Sequence, residues 1–287
     1  MAETEIDGRF ETLASGFAFC EAPRVADDGT AYFSDLTGGG YHACDPDGTI
    51  RTVLPDRLWI GGAVLDASGA IICGGKGGMI AVNPASGETQ VLLERLNGEP
   101  IIAVNDIEAD PRGGIFGGTI DFASIFAGET PRPGLFFRLD PSGDIAILRS
   151  DVVASNGIGF SPDGARLYHS ESTVGVWRWQ MEPDGLPHSP ALFVELADCD
   201  GLAVDVEGGI WIACWQAAEL RRYRPDGILD RRVALPFPFV TSLAFGGLYA
   251  RAIHATTAGN GRDDGKGGLI RINSPVAGLP AHSSLIL

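Results

Sequence analysis

Asp200–Gly227 reads DGLAVDVEGGIWIACWQAAELRRYRPDG. It holds three short apolar or amphipathic runs, Gly201–Val204, Ile210–Ala213 and Leu220–Tyr223. The turn Asp205-Val206-Glu207-Gly208 separates the first two runs, and Arg224-Pro225-Asp226-Gly227 follows the third. Pro presets φ at the second turn position and the closing Gly accepts a left-handed conformation. Runs of this length, rich in β-branched and aromatic residues and bounded by such turns, predict strands joined in hairpins.

The pattern repeats along the chain. Turns with the same role are Asp66-Ala67-Ser68-Gly69, Asp110-Pro111-Arg112-Gly113 and Ser161-Pro162-Asp163-Gly164. A second, alternating class includes Asp45-Pro46-Asp47-Gly48 and Asp140-Pro141-Ser142-Gly143. Two hairpins per unit means four strands per unit, recurring at the roughly 35–50 residues of a propeller blade. Units begin near residues 20, 60, 104, 155, 199 and 241, and no long segment has helical period. The expected fold is therefore all-β: a six-bladed β-propeller with four-stranded blades, residues 1–287 forming one domain. The sixth unit, ending near Ile272, lacks a strand. Phe10-Glu11-Thr12-Leu13 is expected to supply it and close the ring, leaving no open edges.

Aligned on Gly29, Gly69, Gly113, Gly164 and Gly208, the position eight residues earlier is Glu21, Gly61, Asn105, Asn156 and Asp200. Thr241 takes that place in the sixth unit. First strands line a propeller's channel, so equivalent positions form a ring at one height. Two carboxylates and two amides converging there suit a hard cation such as Ca²⁺, Mg²⁺ or Mn²⁺.

At these residues the chain resembles the senescence-marker-protein/gluconolactonase family, which includes regucalcin. The resemblance spans nearly the whole chain. It rests on Glu21-Ala22-Pro23-Arg24, Asn105-Asp106, Ser155-Asn156-Gly157 with Ser161 to Gly164, Asp200-Gly201 with Ile210-Trp211-Ile212-Ala213, and Thr241 to Gly247. It implies a metal held by Glu21, Asn156 and Asp200, most simply Ca²⁺, with Mg²⁺, Mn²⁺, Zn²⁺ or Fe²⁺ as alternatives. It also implies that Asn105 lies beside the substrate or on the metal through water, and that Asp200 is the candidate general base. The expected activity is metal-dependent hydrolysis of a small lactone or ester. A metal-dependent lyase or isomerase, a Ca²⁺-binding protein without turnover and a protein-binding propeller stay open. Asp121, His169 and Trp215 are further candidates for substrate contact, His169 as a proton shuttle. Sugar-lactone members often carry Arg where this chain has Ala103. The aliphatic run Ile101–Val104 is accordingly expected to form an apolar wall, favouring an alkyl or aromatic lactone over gluconolactone, with Arg24 or Asp121 as the alternative source of polar contacts.

The formal net charge of -16 argues against nucleic acid as partner. The five cysteines, Cys20, Cys44, Cys73, Cys199 and Cys214, have no C-x-x-C spacing. They are expected to be buried thiols in a reducing compartment, and the protein to be cytoplasmic. The acidic start MAETEIDGRFETLA lacks the apolar core of a signal peptide, and no stretch has the length of a membrane helix.

Overall fold

The computed structural model describes residues 4–5, 9–259 and 264–287. Part of the N-terminal stretch read above as lacking a leader, residues 1–3 and 6–8, lies outside the described residues. Six antiparallel four-stranded sheets are arranged as the blades of a β-propeller. Their innermost strands are Cys20–Val25, Ala63–Leu65, Ala103–Ala109, Ser155–Phe160, Cys199–Val204 and Phe239–Gly246, close to the six expected starts. Blade 3 gains a fifth strand from Gly75–Lys76, and blade 5 gains one from Thr4–Glu5, paired parallel to Leu229–Ala234.

The sixth blade closes as expected. Phe10–Phe17 pairs antiparallel with Gly267–Asn273, in a register that sets Phe10 opposite Ile272. The turn glycines Gly29, Gly69, Gly113, Gly164 and Gly208 have φ between 67° and 89°. In the DxxG turns the Gly N–H donates to the carbonyl oxygen of the turn's first residue, as from Gly208 to Asp205.

Neighbouring blades bury apolar side chains between them. Trp211, Val240, Leu243 and Ile253 pack together between blades 5 and 6. Two buried arginines tie turns to third strands. The Arg138 Nε lies 2.6 Å from Asp110, and the Arg222 Nε lies 2.6 Å from Asp205. All five cysteines are buried free thiols. No helix among the described residues is long and apolar enough to cross a membrane.

Residues 274–287 follow the last blade and run across the turns between first and second strands. Gly278 bridges to Asp205, Ser284 bridges to Asp66, and the Leu285 N–H donates to the Gly113 carbonyl. Because these turns lie at the far ends of the innermost strands, the tail covers the channel end opposite the ring of polar residues.

Candidate active site at the channel mouth

The ring positions share a backbone device. A β-bulge falls at or directly after the ring residue in five innermost strands: near Glu21, Asn105, Asn156, Asp200 and Thr241. In blade 2 the ladder starts only at Ala63, after Gly61 and Gly62. A bulge removes a residue from the ladder and re-aims its side chain. The residue after the ring position is Gly62, Gly157 and Gly201 in three blades. A Cβ on Gly62 or Gly157 would overlap the backbone nitrogen of Ile107 or Leu202 in the next blade. These glycines allow the innermost strands to converge. In blade 1 the same place is held by Ala22, in the left-handed region at φ 52°.

Glu21, Asn105, Asn156 and Asp200 form the polar floor of one open cavity of about 720 Å³. Trp215 stands on its wall. The structure thus gathers five of the seven candidate residues. Thr241 is fully buried and donates to the Cys20 carbonyl.

Hydrogen bonds settle which way the two amides point. The Ser172 hydroxyl donates to the Cys199 carbonyl at 2.5 Å, so its oxygen can only accept from Asn156. Asn156 therefore turns Nδ2 toward Ser172, and its Oδ1 accepts from Asn105 Nδ2 at 2.7 Å. The same Nδ2 donates to the Ser155 carbonyl, which directs Asn105 Oδ1 the other way, over the bare Gly61. Ser172 is a site residue that the sequence alone did not single out. It lies in the turn directly after the neighbouring strand Arg166–Glu171, a place that offered no periodic signal.

Two carboxylates, Glu21 and Asp200, stand on this floor, and a third, Asp106 of the bulge beside Asn105, is buried outside the cavity lining but near enough to act on both. Burial pushes the Glu21 carboxyl well above its ordinary range, and the charges of Asp200 and Asp106 push it further. Burial raises Asp200 likewise, reinforced by Asp106 and Asp198. Asp106 is raised to about 7 by burial, with Arg24 opposing. Among the described residues no Lys or Arg forms an ion pair with any of the three. Nor do three His, Cys, Asp or Glu side chains gather there as a metal-ligand cluster. A cation would need the amide oxygens of Asn156 and Asn105 together with the carboxylates. That all-oxygen donor set fits a hard divalent ion.

Three expectations are corrected. His169 is fully buried outside the cavity, stacked on Phe136 at 3.9 Å and bonded through Nε2 to Ser155 Oγ at 2.8 Å. Burial holds it down at about 3, so it is neutral and has no path to a substrate. Asp121 is the N-cap of the short helix α1, Phe122–Ala127, where it accepts from the Ser124 and Arg132 backbone N–H groups. Its carboxylate is spent on the cap. The run Ile101–Val104 does not reach the cavity, and Ala103 is fully buried. Arg24 does not reach it either, because it turns to Glu108 at 2.9 Å and to the Ile107 carbonyl.

The match to known proteins is broad. The SMP-30/Gluconolactonase/LRE-like family pattern covers residues 19–259. The chain belongs to this family. Two relatives are a 6-deoxy-6-sulfogluconolactonase of Pseudomonas putida, 30% identical over 80% of each chain, and the pentonolactonase XacC of Haloferax volcanii, 28% identical over 90% of this chain and 91% of that one. Among solved structures, a regucalcin of Agrobacterium tumefaciens described as a calcium-binding protein superposes with a TM-score of 0.87. It is 22% identical and covers 98% of this chain and 99% of its own, a likeness of fold.

Proposed function

We propose that this protein hydrolyses a small lactone using one divalent cation, with Ca²⁺ the first candidate, held by Glu21, Asn156 and Asp200 with Asn105 alongside. The observation that carries the reading is the buried floor of like charges and fixed amide oxygens. It opens into a cavity that no described Lys or Arg lines, and none forms an ion pair with its carboxylates. Relatives named as lactonases over most of the chain support the reaction class. When bound, the ion would supply positive charge to the oxygen that becomes negative as the carbonyl is attacked.

The chain's own groups have separate tasks. Asn105, held by Ser155 and Asn156, orients the lactone on the floor. Ser172 keeps Asn156 Oδ1 turned inward. Asp200 is the candidate general base, accepting a proton from the attacking water through an oxygen not engaged by the ion. The water oxygen bonds to the carbonyl carbon and the ring C–O bond breaks. The departing alkoxide receives the proton, giving the hydroxy acid.

The test is proton release from a lactone series in a pH-stat, on protein stripped with chelator and then reloaded with Ca²⁺, Mg²⁺, Mn²⁺ or Zn²⁺. Turnover is expected only after reloading. Undiminished turnover by stripped protein would remove the cation from the mechanism. Stoichiometric bound metal without turnover of any lactone or ester would identify a non-catalytic ion-binding propeller.

A further inference from the structure

The floor of the cavity is polar, but its walls are not. Two aromatic groups rise from the floor on separate elements. One is the pair Phe122 and Phe126 on α1, whose rings stack with centroids 5.3 Å apart at 10°, with Ile125 beside them on the cavity wall. The other is a ladder of three rings from blades 1, 5 and 6. Phe19 stacks on Trp215 at 5.1 Å and 19°, and Trp215 stacks on Phe239 at 4.1 Å and 14°.

Five of these six side chains are only half-buried. Apolar side chains held partly open around a concavity mark a surface that a ligand covers. The Phe122/Phe126 spacing is helical, and the helix is anchored by the Asp121 cap at one end and by Gly128 in the left-handed conformation at the other. The wall is therefore built and held in place.

Of the polar side chains that share these walls, two are already engaged by the protein. The Asp198 carboxylate accepts the Gln216 and Ala217 backbone N–H groups at 2.7 and 2.8 Å. Ser172 is committed to Asn156 and Cys199. Thr173 and Gln216 are exposed, at the rim. No Lys or Arg is among the described residues lining the cavity. A sugar hydroxyl or a sulfonate pressed against the rings would be desolvated with no partner, whereas an aryl or alkyl group gains by leaving water.

We infer that the substrate is an uncharged lactone bearing an aromatic or bulky alkyl substituent, with its carbonyl on the polar floor and the substituent between the α1 rings and the Phe19/Trp215/Phe239 ladder. The inference rests on the proposed lactone hydrolysis and names its substrate class. It separates this chain from the sugar lactones in its relatives' names.

The experiment compares kcat/KM on Ca²⁺-loaded protein for glucono-δ-lactone, unsubstituted δ-valerolactone and a phenyl-substituted δ-valerolactone. The phenyl lactone is expected to exceed gluconolactone by at least tenfold. The ratio of phenyl to unsubstituted lactone is expected to fall at least fivefold in Phe126→Ser. Trp215→Leu, checked for an unchanged melting temperature, provides a second reading should Phe126→Ser fail to fold. Equal or better turnover of gluconolactone overturns the inference and leaves lactone hydrolysis standing. An unchanged phenyl preference in a folded wall variant also overturns it. Turnover of none of the three overturns the hydrolase reading and the inference together.

Discussion

Gly61→Ala puts a single methyl group into the ring. A Cβ at Gly61 would overlap Asn105 Oδ1 and stand 2.8 Å from its amide carbon. Carbon pairs rest at about 3.5–4.0 Å, so the Asn105 amide must retreat by about 1 Å. That motion stretches both of its 2.7 Å hydrogen bonds, to the Ser155 carbonyl and to Asn156 Oδ1. Each lost bond costs about 1 kcal/mol net, and a buried donor left unpaired costs about 1–3 kcal/mol. The φ of Gly61 is not in the left-handed region, so backbone strain adds nothing. The expected destabilisation is about 2–4 kcal/mol, or a fall of roughly 3–7 °C in melting temperature for a chain of this size. A displaced orienting group should also lower kcat/KM on the best lactone by about 10²-fold. Thermal melts and steady-state kinetics measure both. Asn105→Ala removes the atoms in collision, so adding Gly61→Ala to that variant should cost at least 1 kcal/mol less than in the parent. A Gly61→Ala protein that melts and turns over like the parent would falsify the arrangement. So would a double variant in which the two costs simply add.

Glu21→Ala and Asp200→Ala should each lose most bound metal while keeping the propeller fold, as read by elemental analysis and circular dichroism; retention of stoichiometric metal in both removes them as ligands. Ser172→Ala frees the Asn156 amide to rotate, so it should weaken metal affinity by tenfold or more in a competition titration, since removing an outer partner of a ligand typically costs that much. The raised Glu21 and Asp200 carboxyls bind protons more tightly in the folded than in the unfolded chain, so in chelator the protein should lose stability as pH rises above the unfolded carboxyl value of about 4. Asp200→Asn removes one of these groups. Its melting temperature in chelator should exceed the parent's at pH 8, by a margin that shrinks toward pH 5; a margin that is absent or grows on acidification contradicts the crowding of charge at the floor.

The repeat, the number of blades and the strand that closes the ring were legible in the chain. They depend on local chemistry: turn residues with special φ, strand-length apolar runs and their spacing. The ring of Glu21, Asn105, Asn156 and Asp200 was legible for a related reason. Repetition places equivalent positions at one height in the channel, so phase along the sequence becomes position in space. Tertiary structure decided what repetition does not encode. His169 sits in a strand whose register carries it into the wall of blade 4, stacked on Phe136, and nothing local marks that face. Asp121 looked free to meet a substrate until α1 formed and took its carboxylate as a cap. The apolar wall was expected at Ile101–Val104, but those residues fold away from the cavity. The rings that line it come from Phe19, α1, Trp215 and Phe239; Phe19 and Phe239 each stand two residues before a ring position, but Ala103, Ala154 and Asp198 hold that place in blades 3, 4 and 5, so no aromatic recurs through all the blades to mark the wall. The covering of the far channel end by residues 274–287 depends likewise on single bonds to Asp66, Gly113 and Asp205 from a segment outside the repeat. Local spacing carries information about what recurs; contacts between non-equivalent loops exist only once the blades have closed into a ring.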